Sequence, residues 1–247
     1  MESIIVRATP FLRLPYQFDV ARMVSELDDL LRLDWKAHYN EECFSGSWRG
    51  ISFLSPSGQF QDITLGNPNV EEPLKATELL DRCPYFASVL STFKCTLTSA
   101  RLLWLRPGAI IKEHSDGQMG YEDGNFRLHI PVKTNDGVEF VLAGEQLVME
   151  PGSCWYTNVN HLHRVVNRGT TDRVHLVIDG LRNSWTDELF FSLAPKEELL
   201  ASPSYPVRSA DRERVLEQLR LMGGPHQDEI IEQLLASWED STDRRNA

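Results

Sequence analysis

The stretch Phe-Arg-Leu-His-Ile-Pro-Val-Lys-Thr-Asn-Asp-Gly-Val-Glu-Phe-Val-Leu, residues 126–142, reads as two short strands around an Asn135-Asp136-Gly137 turn. Asn, Asp and Gly reverse a chain cheaply, and branched or aromatic residues on either side favour a pleated, half-buried surface. Side chains alternate in a strand, so Arg127 and His129 share one face while Leu128 and Ile130 share the other. The same texture continues in both directions. Strands are expected over residues 100–105, 109–113, 126–134, 138–142, 146–150, 153–157, 163–167 and 173–181. Further turns fall at Arg106-Pro107-Gly108, Ala143-Gly144, Pro151-Gly152 and Asn167-Arg168-Gly169. This spacing predicts a mainly β core, a double-stranded β-helix or jelly roll, over about residues 97–181.

Outside that core the periodicity lengthens. Val20, Met23, Leu27, Leu30 and Leu31 recur at helical spacing within 18–33, and further helices are expected over 72–80 and 85–93, with a strand over 48–54. After residue 183 a linker at 203–206 precedes expected amphipathic helices at 210–222 and 228–238, separated by Gly223-Gly224-Pro225. Ile230, Ile231, Leu234, Leu235 and Trp238 form an apolar stripe suited to packing on the body. The reading is a jelly-roll domain over 1–182 carrying N-terminal helices, followed by a C-terminal helical extension over 183–247.

Composition narrows the function classes. Across 247 residues, 41% are hydrophobic and 25% charged, an ordinary globular balance. A net charge of −11 and no Lys/Arg-rich stripe argue against nucleic acid as a partner. No window approaches the run of about 18 apolar residues that a membrane span needs, and the first residues lack the pattern of a secretory leader. Cys43, Cys83, Cys95 and Cys154 are scattered, with no C-x-x-C pair, as in a reducing compartment. A cytoplasmic monomer or homodimer is expected.

Five of the seven histidines lie between residues 114 and 175. His114-Ser115-Asp116 can present an imidazole nitrogen and a carboxylate oxygen to one metal ion. One more histidine would complete the two-histidine, one-carboxylate set of a non-haem Fe(II) oxygenase, leaving open positions for a co-substrate and O2. His161 and His163 both qualify, since alternation places them on one face. Arg127-Leu128-His129 and Arg173-Val174-His175 each set an arginine and a histidine inward from an aliphatic strand. A buried guanidinium requires an anionic partner. A bound dicarboxylate would serve, as would ion pairs with Glu113, Glu139, Glu145 or Asp179.

The ordered series resembles the aspartyl/asparaginyl β-hydroxylase family of Fe(II)- and 2-oxoglutarate-dependent oxygenases, including bacterial proline cis-hydroxylases. It comprises Arg106-Pro107-Gly108, His114-x-Asp116, Arg127-Leu128-His129, His163-Arg164-Val165 and Arg173-Val174-His175, running on to Asp179. The resemblance implies His114, Asp116 and His163 as iron ligands, because Arg173 stands ten residues after His163, at the family's spacing for the arginine that grips the co-substrate. It further implies that Arg127 and His129 contact 2-oxoglutarate and that His175 and Trp155 line the same cavity. The implied reaction is hydroxylation of an aliphatic carbon, in an amino acid or in an aspartyl, asparaginyl or prolyl residue of a peptide, with release of succinate and CO2. Trp48, Arg49 and the loop 118–125 are candidates for the pocket mouth. Two rival readings are a cupin-like metal protein and a ligand-binding jelly roll without catalysis. The cupin reading fits poorly, because Gly144 is followed by six residues before Pro151 where the cupin pattern has five.

Overall fold

The structure, a computed structural model, describes residues 8–39, 41–64 and 74–203, together with Leu216, Ile231 and Leu235. The strands are β1 (Phe11–Gln17), β2 (Lys36–Ala37), β3 (Phe44–Ser45), β4 (Trp48–Ser55), β5 (Lys75–Ala76), β6 (Leu97–Leu105) and β7 (Ile110–His114). They continue with β8 (Asn125–Lys133), β9 (Val138–Leu142), β10 (Glu145–Leu147), β11 (Ser153–Thr157), β12 (His163–Asn167) and β13 (Arg173–Leu181). The helices are α1 (Val20–Leu30), α2 (Glu78–Arg82), α3 (Pro84–Ser91), α4 (Ser184–Phe191) and α5 (Lys196–Leu199).

Two antiparallel sheets form the jelly roll. The larger runs β1-β11-β8-β13-β6-β4-β2, with β5 on β4, and the smaller runs β10-β9-β12-β7-β3. Alternation on the central strands builds two different interiors. Leu128, Ile130, Leu102, Val174, Leu176 and Ile178 face the helices, where Met23, Leu27, Phe86 and Phe190 cover them. On the opposite face Leu103, Leu105 and Val177 meet Ile111, Phe140, Leu142 and Val165 of the smaller sheet. That second interior also receives the inward polar residues Arg101, Arg127, His129, Arg173 and His175, all buried.

Local chemistry sets the element ends. Asp19 caps α1 by accepting from Arg22 N at 3.1 Å. Glu26 on α1 accepts from Tyr85 N at 2.7 Å and Phe86 N at 3.0 Å, capping α3, whose own N-cap residue Cys83 offers no side-chain bond. The hairpin between β9 and β10 turns on Ala143 and Gly144, both with positive φ (53° and 81°), as a two-residue hairpin turn demands.

The expected strands 138–142, 153–157, 163–167 and 173–181 coincide with β9, β11, β12 and β13. The helix expected over 72–80 differs: Lys75–Ala76 is a strand, and Thr77 caps a helix that begins at Glu78, its hydroxyl accepting from Leu79 N at 3.4 Å. The first strand, Phe11–Gln17, was hidden by Pro15, which is tolerated because β1 is the edge of its sheet and irregular between Leu14 and Gln17.

Contacts divide the chain into two compact units, Met1–Pro203 and Ser204–Ala247. The first unit extends past residue 182, because Phe190 of α4 and Leu199 of α5 are buried in the helix-side core. Burial of one such side chain contributes roughly 1.5–3 kcal/mol. The helices expected over 210–222 and 228–238, and the linker at 203–206, lie largely outside the described residues.

Candidate functional site

The inward polar residues converge on a cavity between the two sheets. Its lining includes His114, Asp116, Arg127, His129, His163, Arg173, Arg101, His38 and Trp48. His114 ends β7 and His163 begins β12, directly opposite it in the antiparallel register. Their rings lie 4.2 Å apart at 50°. Asp116 lies just beyond β7, anchored by its backbone N–H to Val159 O at 2.8 Å. One ligand atom from each of His114, Asp116 and His163 falls within 4.8 Å of the other two, the one such grouping among the described residues.

The rings are oriented for metal binding. His114 Nδ1 meets Lys112 O at 2.7 Å, and His163 Nδ1 meets His161 O at 3.0 Å. A carbonyl only accepts, so each Nδ1 must carry the proton, and each Nε2 keeps its lone pair for a ligand. Burial, opposed by the bond to His161 O, pushes the His163 pKa down to about 4, so the ring is neutral at physiological pH. Burial alone would raise the Asp116 carboxyl, yet the charge of Arg127 beside it, with smaller contributions from the neighbouring His163 and His114 and the hydrogen bond from Arg127, outweighs it and holds the group below its usual range. Two imidazole nitrogens and one carboxylate are the donor set that Fe(II) accepts.

The two candidate arginines play different parts. Arg127 donates from Nη1 to Asp116 Oδ2 at 2.6 Å, and from Nε and Nη2 to the two oxygens of Asp179 at 2.6 and 3.2 Å. It is thus a clamp that leaves Asp116 Oδ1 facing His114 Nε2 at 3.5 Å. Of the four internal carboxylate partners considered for the arginines, Asp179 is the one realised at the cavity. Glu139 and Glu113 instead face Arg168 and Arg164 on the smaller sheet. Arg173 has no carboxylate partner among the described residues. Its Nη2 donates to His175 Nδ1 at 2.9 Å, its Nε has no acceptor, and its charge lies 5.9 Å over the Phe140 ring. Burial without a counter-ion depresses its pKa to about 9, which still leaves it charged at neutral pH.

The remaining expectations sort by face. His129 lines the cavity, and burial first, then Arg173, holds it neutral. His175 sits behind, between Arg173 and His129, whose Nδ1 is 3.4 Å away. His161 is buried but does not line the cavity, and its carbonyl holds the His163 ring. Trp155, expected to line the cavity, does not: it pairs with His129 in register, but its indole turns to Phe11 at 6.3 Å and bonds Ser153 Oγ at 2.9 Å. Trp48 does line the cavity, whereas Arg49 reaches away to Trp35 O at 3.3 Å. In the loop 118–125, Glu122 and Asp123 accept from the side chains of Asn158 and Asn160 and do not reach the cavity. Arg101, buried against Asp179 at 3.3 Å, escaped the sequence reading. Its signal was a lone charge in the apolar run Ala100–Leu105.

Residues 17–183 match the family described as aspartyl/asparaginyl β-hydroxylase. The chain belongs to that family. It is therefore an enzyme of the 2-oxoglutarate- and Fe(II)-dependent hydroxylases, with both groups implied by the family and the His-Asp-His grouping. The cupin-like and non-catalytic readings fall with that assignment. Among solved structures, the hydroxylase is similar to a 2OG-Fe(II) oxygenase family oxidoreductase from Burkholderia pseudomallei, at 16% identity over 70% of this chain and 86% of the other, TM-score 0.45. It is also similar to HygX from Streptomyces hygroscopicus, solved with nickel and 2-oxoglutarate bound, at 12% identity over 72% and 84% of the two chains, TM-score 0.46. Among the described residues no helix is long and apolar enough to cross a membrane.

Proposed function

We propose that this hydroxylase binds Fe(II) through His114, Asp116 and His163, and 2-oxoglutarate with its remote carboxylate on Arg173. The reaction is hydroxylation of an aliphatic carbon in a free amino acid, or in an aspartyl, asparaginyl or prolyl residue. The observation that carries this reading is Arg173, 1% exposed and without a carboxylate partner among the described residues. An uncompensated buried charge costs several kcal/mol, so the fold is incomplete without an anion there. Arg127, by contrast, already has Asp116 and Asp179.

When bound, Fe(II) supplies the O2-dependent oxidation, with 2-oxoglutarate converted to succinate and CO2. The chain's own residues bind and orient. The carbonyls of Lys112 and His161 fix the two imidazoles, Arg127 fixes Asp116, and His175 fixes the Arg173 fork. Leu103, Ile111, Phe140, Val165 and Val177 supply apolar wall between these polar groups. The four free cysteines, two of them buried, support a cytoplasmic setting.

The test is succinate release by purified protein with added Fe(II), 2-oxoglutarate and O2. His114→Ala and Asp116→Ala are expected to abolish it together with stoichiometric Fe(II) binding. Intact uncoupled turnover in both variants would exclude this metal assignment.

A further inference from the structure

A second buried arginine at the cavity is only partly satisfied. Arg101 is 3% exposed and lines the same cavity as His114, Asp116 and Arg173. Its Nη1 donates to Ile63 O at 2.9 Å and its Nη2 to Asp179 Oδ2 at 3.3 Å, while its Nε–H has no acceptor among the described residues. Asp179 is already held more closely by Arg127, at 2.6 Å. Trp48, stacked on His38 at 3.5 Å, adds another buried N–H on the cavity wall without an acceptor among the described residues. Buried donors without acceptors are rare in folded proteins, and one explanation is a ligand that completes them.

Position separates Arg101 from the co-substrate end. In the β6–β13 register Arg101 stands opposite Val177, four residues from Arg173, which is about 13 Å of strand. Charge gives the same result. Among the described residues, three buried guanidinium groups (Arg101, Arg127, Arg173) face two carboxylates, Asp116 on the cavity wall and Asp179 behind it. A divalent ion and a doubly charged 2-oxoglutarate cancel each other, so one positive charge is left for a further anion.

We propose that Arg101 is a specificity-determining residue that receives a carboxylate of the substrate, so that the enzyme selects an acid over its neutral amide. This rests on the functional reading above. The carboxylate belongs either to a free amino acid or to an aspartyl side chain. A planar guanidinium discriminates between the two forms because it offers only donors, and an amide NH2 cannot accept from them.

Anaerobic calorimetric titration of the full chain loaded with Fe(II) and 2-oxoglutarate tests this without turnover. The probes are free L-amino acids and their carboxamides, and short peptides containing Asp or Asn. Failure of 2-oxoglutarate itself to bind would sink the functional reading before Arg101 is in question. The expected result is that at least one acid binds about tenfold or more tightly than its amide, the size of one charge-assisted bond. The free-acid and peptide arms show which carboxylate it is. Arg101→Gln is expected to erase the preference. If that variant does not fold, Arg101→Lys keeps the charge beside Asp179 and is expected to weaken the acid about fivefold while leaving the amide unmoved. The proposal is overturned if wild type prefers no acid over its amide, or if the lysine variant binds the acid as wild type does. It is also overturned if either substitution weakens 2-oxoglutarate binding and leaves the acid-to-amide ratio unchanged.

Discussion

Arg173 and His175 stand two residues apart on one face of β13, and Arg173 Nη2 donates to His175 Nδ1 at 2.9 Å. An arginine cannot accept, so Nδ1 of His175 must carry the lone pair and Nε2 the proton. Burial, and then the charge of Arg173, hold His175 in this neutral form. The histidine thus orients a buried guanidinium that has no carboxylate partner among the described residues.

Arg173→Gln is expected to raise the KM for 2-oxoglutarate about 100-fold, the loss of one desolvated charge-assisted pair, with a smaller change in kcat. His175→Phe removes the acceptor but not the charge, and about a tenfold rise is expected. Steady-state kinetics in 2-oxoglutarate checks both. Equal effects on kcat and KM in the two variants would contradict the positioning role.

Asp179→Asn strips Arg127 of its main counter-charge, and Arg127 in turn orients Asp116. Fe(II) affinity is expected to fall about 10- to 100-fold in a competition titration, as for other outer partners of metal ligands. The same change leaves Arg101 and Arg127 sharing no buried carboxylate, so stability is expected to drop by about 3–5 kcal/mol in urea unfolding.

Acid is expected to destabilise the metal-free protein. His163 titrates near 6.5 in the unfolded chain and near 4 when folded, so between those values the unfolded chain binds the extra proton. Stability is therefore undiminished above about pH 6.5 and declines as the pH falls towards 4. At about 1.4 kcal/mol per pH unit, His163 alone accounts for roughly 3 kcal/mol. His129 and His175, held far below their ordinary values by burial, act in the same direction. Thermal unfolding measured from pH 7.5 to 4.5 checks this, and a flat profile would refute it.

Glu26→Ala removes the carboxylate that caps α3 from the neighbouring helix. A loss of about 0.5–2 kcal/mol is expected, the range for helix caps. Denaturant unfolding reads it directly, and no measurable loss would show that water replaces the cap.

Much of the β core was legible because period-two alternation and Gly/Asn/Pro turns are local signals. Val138–Leu142 and Arg173–Leu181 appear with the bounds their residues suggest. Pro15 concealed β1, since nothing nearby in sequence announces that its strand lies at a sheet edge. Trp155 misled for a related reason. The resemblance set it at the cavity, but which residues of β11 reach the cavity depends on which strand lies nearest to it. Arg101 was visible only as a charge in an apolar run, and its meaning required Asp179, far away in sequence.

The sequence by itself determined the jelly-roll class, the His114-x-Asp116 pair and the ten-residue interval from His163 to Arg173, because these depend on residue type and short-range spacing. Only the tertiary structure decided how the charges divide. Asp179 ends up between Arg101 and Arg127, Arg127 reaches on to Asp116, and Arg173 is left without a carboxylate among the described residues. Pairing of buried charges depends on distances of a few ångströms between strands that are remote in the chain, and no local pattern encodes those distances.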